Sequence, residues 1–189
     1  METSQQSGFP EAVRYPSLRR NSSSDIALVP YAKVGDEWTL SDDVVLSLAL
    51  GAQAQGVLET VFMDGTVNDA YDFLEMMQKP ENLPVFVFSG TECVGAGWLN
   101  GCIGRVAFAH FLLLRNGRGQ FARRAGKLVL NYWRSFKTGN ESLFEVIIGV
   151  VPSENDRAIS FVQELGFVRL GEIPKMLRSK PATLLYLTE

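Results

Sequence analysis

Three apolar runs follow one another from Pro84 with only turns between them, and this succession constrains the fold more than any other feature of the chain. VFVF at 85–88 gives way to SGTE at 89–92, then to a second β-rich run over 93–99, the dipeptide Asn100-Gly101, and a third run over 102–111. Asn-Gly between apolar runs is a type I′ hairpin signal. An antiparallel meander with its second turn at Asn100-Gly101 is therefore expected, which does not fit a doubly wound parallel sheet, where long crossovers separate the strands. In that register Leu99 faces Cys102 and Cys93 faces Phe108. The two cysteines are then out of register for a disulfide, and with no His or Cys near either they offer no metal site.

Helical and β signals flank the meander. Residues 26–29 read as a strand ended by Pro30. Ser41-Asp42-Asp43 opens a helical segment carried by Val44, Leu46, Leu48, Leu50, Ala54, Leu58 and Val61, with Gly51 and Gly56 as candidate breaks. A second helix has Tyr71, Phe73, Leu74 and Met77 on one face and stops at Pro80. After the meander come a helix over 120–136, a β-run over 143–151, a helix over 154–165, and strands over 167–173 and 183–187. The order is β-α-α-β-β-β-α-β-α-β-β, an α/β chain of the α+β kind.

With 189 residues, 46% of them hydrophobic, residues 25–189 suffice for one domain with a sizeable core. Residues 1–24 are rich in serine and lack apolar periodicity, so they are expected to be a flexible arm or one ordered by a partner. No apolar run approaches the roughly 20 residues of a membrane span, and the N-terminus lacks the apolar core of a secretory signal. A cytoplasmic protein without membrane contacts is expected. A net charge of −3 argues against a surface built for nucleic acid, and no sequence-specific nucleic-acid binding is expected.

Charge is segregated along the chain. Between positions 36 and 81 there are ten acidic residues against one lysine, Lys79; between 115 and 137 there are seven basic residues and no acids. Each run can be a solvated face. The basic one contains LLLRNGRGQFARRAGK (112–127), in which Gly117 and Gly119 lead from a strand into a helix. Glycines let backbone N–H groups line a concavity and the helix N-terminus adds positive potential, as a phosphate site requires; a tight strand-to-helix turn needs the same glycines. The G-x-G-x-x-A match at 117–122 fits the dinucleotide fingerprint in spacing but follows an antiparallel hairpin, the wrong place for it. A Walker loop fails for want of Gly-Lys-Ser/Thr.

VVPSENDRAISFVQELGF (150–167) resembles the C-terminal helix motif of the GNAT superfamily of acetyltransferases, with Asn155 opening the helix, Ala158 three residues on, and Gly166-Phe167 closing it. The element order from 26 to 187 is similar to that of the family. The resemblance implies a mixed, mostly antiparallel sheet, flanked by helices and splayed between its fourth and fifth strands, here 102–111 and 144–151. It implies an acetyl-CoA or other acyl-CoA co-substrate, with pantetheine in the opening and the pyrophosphate on a Gln/Arg-x-x-Gly-x-Gly/Ala loop. Gly117 and Gly119 fill the glycine places and Leu114 stands at the leading position. Leu112, Leu114, Arg115, Gly117, Arg118, Gly119, Gln120, Ala122 and Asn155 are the residues so implicated. Asn155 equally suits a helix cap, with Ser153 and Asp156 able to form a capping box.

Acetyl transfer to an amine needs a base for the amine and an acid for the leaving thiolate. The family's usual acid, a tyrosine seven residues after the motif asparagine, is replaced by Val162, preceded by Phe161. Tyr132 on the basic helix is assigned to packing. His110, the only histidine, and Glu145 are the candidate bases; the apolar alternation partners of His110, Val106, Phe108 and Leu112, equally suit a histidine in a cleft wall. Two functions are expected from the resemblance. One is an atypical N-acyltransferase whose acidic 36–81 segment receives a cationic amine acceptor. The other is a catalytically silent structural or assembly component of a bacteriophage virion, tied by its N-terminal arm to head, tail or portal proteins, since HFLLLRNGRGQ, LNYW and IIGVVPSEN resemble phage-encoded GNAT-like proteins.

Overall fold

The computed structural model describes residues 26–188, so the expected arm at 1–24 lies outside the described residues. Strand β1 (Ile26–Pro30) is followed by a two-stranded ribbon, β2 (Lys33–Val34) and β3 (Glu37–Trp38). Helix α1 (Asp42–Ala54) carries Asp42 and Asp43 in its first turn, where the helix dipole favours acids. It runs through Gly51 and ends ahead of Gly56, whose φ of +65° is the left-handed conformation that stops helices. The expected long helical segment is thus split, and α2 (Leu58–Val61) is a separate short turn of helix. Helix α3 (Ala70–Gln78) is capped by Asp69, whose carboxylate accepts from the Tyr71 and Asp72 amides at 2.8 and 2.9 Å.

The meander is present as β4 (Leu83–Ser89), β5 (Glu92–Ile103) and β6 (Val106–Leu113), but its second turn is not at Asn100-Gly101. Asn100 pairs with Phe108 and Ile103 with Val106, so the chain turns at Gly104-Arg105 and Gly101, at φ +57°, lies in a bulge within β5. A glycine at positive φ satisfies a bulge as well as a turn, which is why the dipeptide misplaces the turn. Cys93 accordingly pairs with Phe88 and Leu99 with Ala109; both cysteines are free thiols.

A 3-10 turn (Arg115–Gly117) then leads into α4 (Gln120–Arg134), the ribbon β7 (Lys137–Thr138) and β8 (Glu141–Ser142), β9 (Val146–Pro152), α5 (Asp156–Glu164), β10 (Val168–Leu177) and β11 (Lys180–Thr188). The two ribbons and α2 are additions to the expected order. Seven strands form one sheet in the order β1-β4-β5-β6-β9-β11-β10. Every pairing is antiparallel except β6 with β9, which is parallel. No helix among the described residues is long and apolar enough to cross a membrane.

Alternation along the strands sends side chains to two cores. Phe86, Ala96, Trp98 and Leu112 meet the helices α1 to α3 on one face, while Leu99, Ala107, Ala109 and Ile147 meet Val129 and Trp133 of α4 and Val162 of α5 on the other. Gly97 lets α4 approach closely, since a Cβ there would lie 3.1 Å from Val129 and 3.2 Å from Trp133. On the α1 face, the Tyr31 hydroxyl donates to Asp42 at 3.0 Å and accepts from Gln78 at 3.0 Å, tying β1 to α1 and α3.

Candidate active site at the strand seam

The one parallel pairing is short. It runs from Val106 opposite Val146 to Ala109 opposite Gly149 and goes no further, although β6 continues to Leu113 and β9 to Pro152. Beyond Ala109 and Gly149 the two strands part at their C-terminal ends, fourth and fifth in chain order within the main sheet. Helices α4 and α5 both start at this end, so two positive helix termini flank the opening.

At the α4 terminus, Leu114 donates its amide to Val94 O at 2.9 Å and Gly117 donates to Leu114 O at 3.0 Å. Gly117 is buried, and a Cβ on it would lie 3.2 Å from Val94 O. Gly119 is the N-cap residue with φ +71° and ψ −136°, a conformation open to glycine. No side-chain cap bonds this terminus, and first-turn amides lack intrahelical acceptors. Arg118 and Gln120 are exposed beside it, as is Arg115, whose own amide donates to Gln55 Oε1 at 2.8 Å. Leu112 and Leu114 bury their side chains in the α1–α3 core, and Ala122 is buried beneath the first turn; these three reach a ligand only through backbone. Of the basic residues, Arg123 is engaged by Glu164 of α5, Nη2 to Oε1 at 2.8 Å.

At the α5 terminus, Asn155 Oδ1 accepts from the Ala158 amide at 3.1 Å, so this oxygen caps the helix. The expected Ser153–Asp156 capping box gives way to a Ser153 to Thr183 hydroxyl contact of 3.1 Å. Val162 is buried near the seam, where a Cβ on Gly149 would lie 3.6 Å from it, and Phe161 sits edge-on to Phe111 at 6.1 Å. Tyr132 packs edge-on against Phe136, ring centroids 5.1 Å apart.

His110 is the first β6 residue past the end of the parallel ladder. Its ring stacks on Trp98 at 5.1 Å and 8°, and Trp98 stacks in turn on Phe62 at 5.6 Å and 13°. Asn100 Oδ1 lies 2.9 Å from His110 Nε2. With Oδ1 as acceptor, Nε2 carries the ring proton and Nδ1 is the bare nitrogen. Burial pushes the imidazole down to about 4, opposed by the Asp64 carboxylate, so the ring is neutral at physiological pH. Glu145 is not brought to this place. It precedes β9 at the closed end of the ladder, level with Arg105 and roughly 16 Å of strand from His110, and binds Arg105 Nη1 at 2.7 Å in an exposed pair.

A cleft of about 540 Å³ lies on the α1–α3 face, between the 58–68 segment and the β10-β11 tip. One wall is Leu58, Glu59, Phe62 and the loop through Asn68; the other is the β10-β11 tip, residues 177–180, beside the end of β9, where Ala182 pairs with Pro152. Phe62 lines this cleft and the buried Trp98 ring lies between it and His110, so the imidazole stands two ring stackings behind the cleft wall. Sequence reasoning spent Asn100 as a turn residue and passed over Phe62, Asp64 and Arg178; the basic RSK at 178–180 between two β-runs was the one signal for the last. Among the described residues no group of three His, Cys, Asp or Glu side chains gathers as a metal site.

No protein-family model matches the sequence, and no curated protein matches it. Solved structures do match. Spermidine N-acetyltransferase from Vibrio cholerae, in complex with CoA and spermine, is 17% identical with a TM-score of 0.64 over 87% of this chain and 95% of its own. Ribosomal-protein-S5-alanine acetyltransferase from Vibrio fischeri is 11% identical with a TM-score of 0.66 over 87% and 93%. The microcin C7 self-immunity acetyltransferase, in complex with acetyl-CoA and AMP, is 15% identical with a TM-score of 0.63 over 97% and 99%. At these identities the likeness is one of fold: the chain has the GNAT acetyltransferase fold.

Proposed function

We propose that the protein is an acyl-CoA-dependent N-acyltransferase that moves an acetyl group from acetyl-CoA to an amine. The observation that carries this reading is the opening of the parallel seam between two helix N-termini, with Gly119 leaving the first-turn amides of α4 uncovered. Those amides, with Arg115, Arg118 and Gln120, suit a pyrophosphate. The Ala122 amide belongs to the same first turn, while Leu112, Leu114 and Gly117 shape the approach, the Leu114 and Gly117 amides being engaged by Val94 O and Leu114 O, and Asn155 positions the second helix through its cap. The pantetheine arm would enter between the parted ends of β6 and β9, and the acceptor would occupy the cleft, whose surroundings in the acidic 36–81 segment favour a cationic amine. The named neighbours in complex with CoA or acetyl-CoA support an acyl-CoA co-substrate.

In the reaction the cationic amine first releases one proton to solvent; the neutral nitrogen then attacks the thioester carbonyl, a C–N bond forms and the C–S bond breaks. Nitrogen becomes strongly acidic once bonded to the carbonyl carbon. His110 Nδ1, neutral and held by Asn100, takes that proton even with a low pKa. Val162 and Phe161 supply no acid, so the thiolate leaves towards solvent and is protonated there. Glu145, bound to Arg105 at the closed end of the seam, has no part in this reading.

Isothermal titration of acetyl-CoA and CoA into wild type and Gly119→Glu tests it. Micromolar binding to the wild type and none to the variant is the expected outcome. No heat with either ligand at millimolar concentration overturns the proposal. The alternative, a bacteriophage virion component anchored by residues 1–24, rests on sequence resemblance alone, and none of the named structures is a virion protein.

A further inference from the structure

The cleft wall formed by the β10-β11 tip has an unusual residue at its apex. Leu177 pairs with Lys180, so Arg178 and Ser179 make a two-residue turn, and Arg178 has φ +50°. Such turns favour glycine, asparagine or aspartate at positive φ, and an arginine there is held against its steric preference. Strained side chains of this kind point to function when their surroundings hold them in place. Here they do. Arg178 Nε donates to Asp64 O at 3.0 Å, and the guanidinium lies against Gly65, where a Cβ would come within 1.4 Å of Nη2. Gly65 is itself at φ +76°.

Glu59 lines the same cleft, but no carboxylate among the described residues is paired with this guanidinium. Lys180, the other cation of the cleft wall, is neutralised by Glu154 at 2.5 Å. The Asp64 carboxylate is turned to Thr66, accepting from its amide and hydroxyl at 3.0 and 2.8 Å. A guanidinium fixed at one nitrogen and lining a cleft presents its remaining N–H groups as a planar fork, the arrangement that grips a carboxylate or phosphate at two points.

We infer that the acceptor bears an oxyanion as well as its amine, and that Arg178 holds this oxyanion at the cleft wall. The amine end then lies towards Asp64 and His110, the groups that favour and deprotonate it. This assignment rests on the acyltransferase reading for the amine, whereas the anion site itself does not.

The test uses full-length, nitrogen-15-labelled protein loaded with CoA, following the Arg178 Nε–H resonance. Matched probes are L-phenylalanine against L-phenylalaninamide and phosphoethanolamine against ethanolamine, with spermidine as the purely cationic control. An oxyanion-bearing probe is expected to shift the resonance with saturation, and its neutral partner and spermidine are not; the two pairs separate carboxylate from phosphate. Read on the backbone amide resonances of Asp64 and Gly65 in the same spectra, Arg178→Gln should weaken that binding by about ten-fold or more, and Arg178→Lys, which keeps the charge without the fork, by less. If neither oxyanion probe moves the resonance at tens of millimolar, or if Arg178→Gln binds them as the wild type does, the inference is overturned. CoA titration in the same samples separates the two readings: CoA binding with a silent Arg178 sinks this inference alone, and an oxyanion response without CoA binding sinks the acyltransferase alone.

Discussion

His110 carries the chemistry at the scale of single residues, and its burial has a consequence for stability. The folded-state value near 4 lies below the ordinary 6.5, so between these values the unfolded chain binds a proton that the folded chain refuses. Stability from this group is complete above pH 6.5 and is lost as pH falls towards 4. From pH 7 to pH 5 the loss is roughly 2 kcal/mol. Urea unfolding of wild type and His110→Gln at both pH values should show that excess loss in the wild type; equal losses would mean that the imidazole charges freely in the folded state. The thiols give a second prediction. Burial pushes Cys93 up to about 12 and Cys102 up to about 11, so iodoacetamide at pH 8 should alkylate the folded protein on the order of 100-fold more slowly than the unfolded chain. Mass spectrometry over time reads this directly, and slow alkylation also keeps thiol-release assays of CoA free of background.

Elements meet through small residues. Gly95 in β5 stands opposite Leu113 of β6, and a Cβ at 95 would lie 2.6 Å from Leu112 O, a backbone atom with nowhere to go. Gly95→Ala is therefore expected to cost about 1–3 kcal/mol, measured by chemical denaturation, and to disturb the strand that carries His110. A variant as stable as the wild type would show that β6 shifts freely. The same scale separates what the linear pattern revealed from what it hid. The helices α4 and α5, the β-run that became β9 and the meander were legible because periodicity and turn residues agree there. Asn100-Gly101 was misplaced because a bulge and a turn ask for the same backbone, and only pairing with β6 decides between them. The β10-β11 tip was left undefined because Arg178 stands where turn chemistry favours glycine or asparagine.

Across the whole molecule one sheet serves two cores. Trp98 is buried against α2 and α3 and Trp133 against the opposite face, at 1% and 0% exposure. Because both cores share the strands between them, they should unfold together. Variants that keep Trp98 or Trp133 as the single tryptophan are expected to show coincident urea midpoints by fluorescence once corrected for the stability change of each substitution; two separated transitions in one variant by fluorescence and circular dichroism would show that the faces unfold independently. By itself the sequence determined the order of strands and helices, the antiparallel start of the sheet and the glycine turn into α4, because these depend on neighbours a few residues apart. The end of the parallel ladder at Ala109, the stack that buries His110, the removal of Glu145 to the far end of the seam and the seating of Arg178 on Gly65 were decided by tertiary structure. Each joins residues tens of positions apart or depends on where two strands separate, and periodicity along a chain carries no record of such distances.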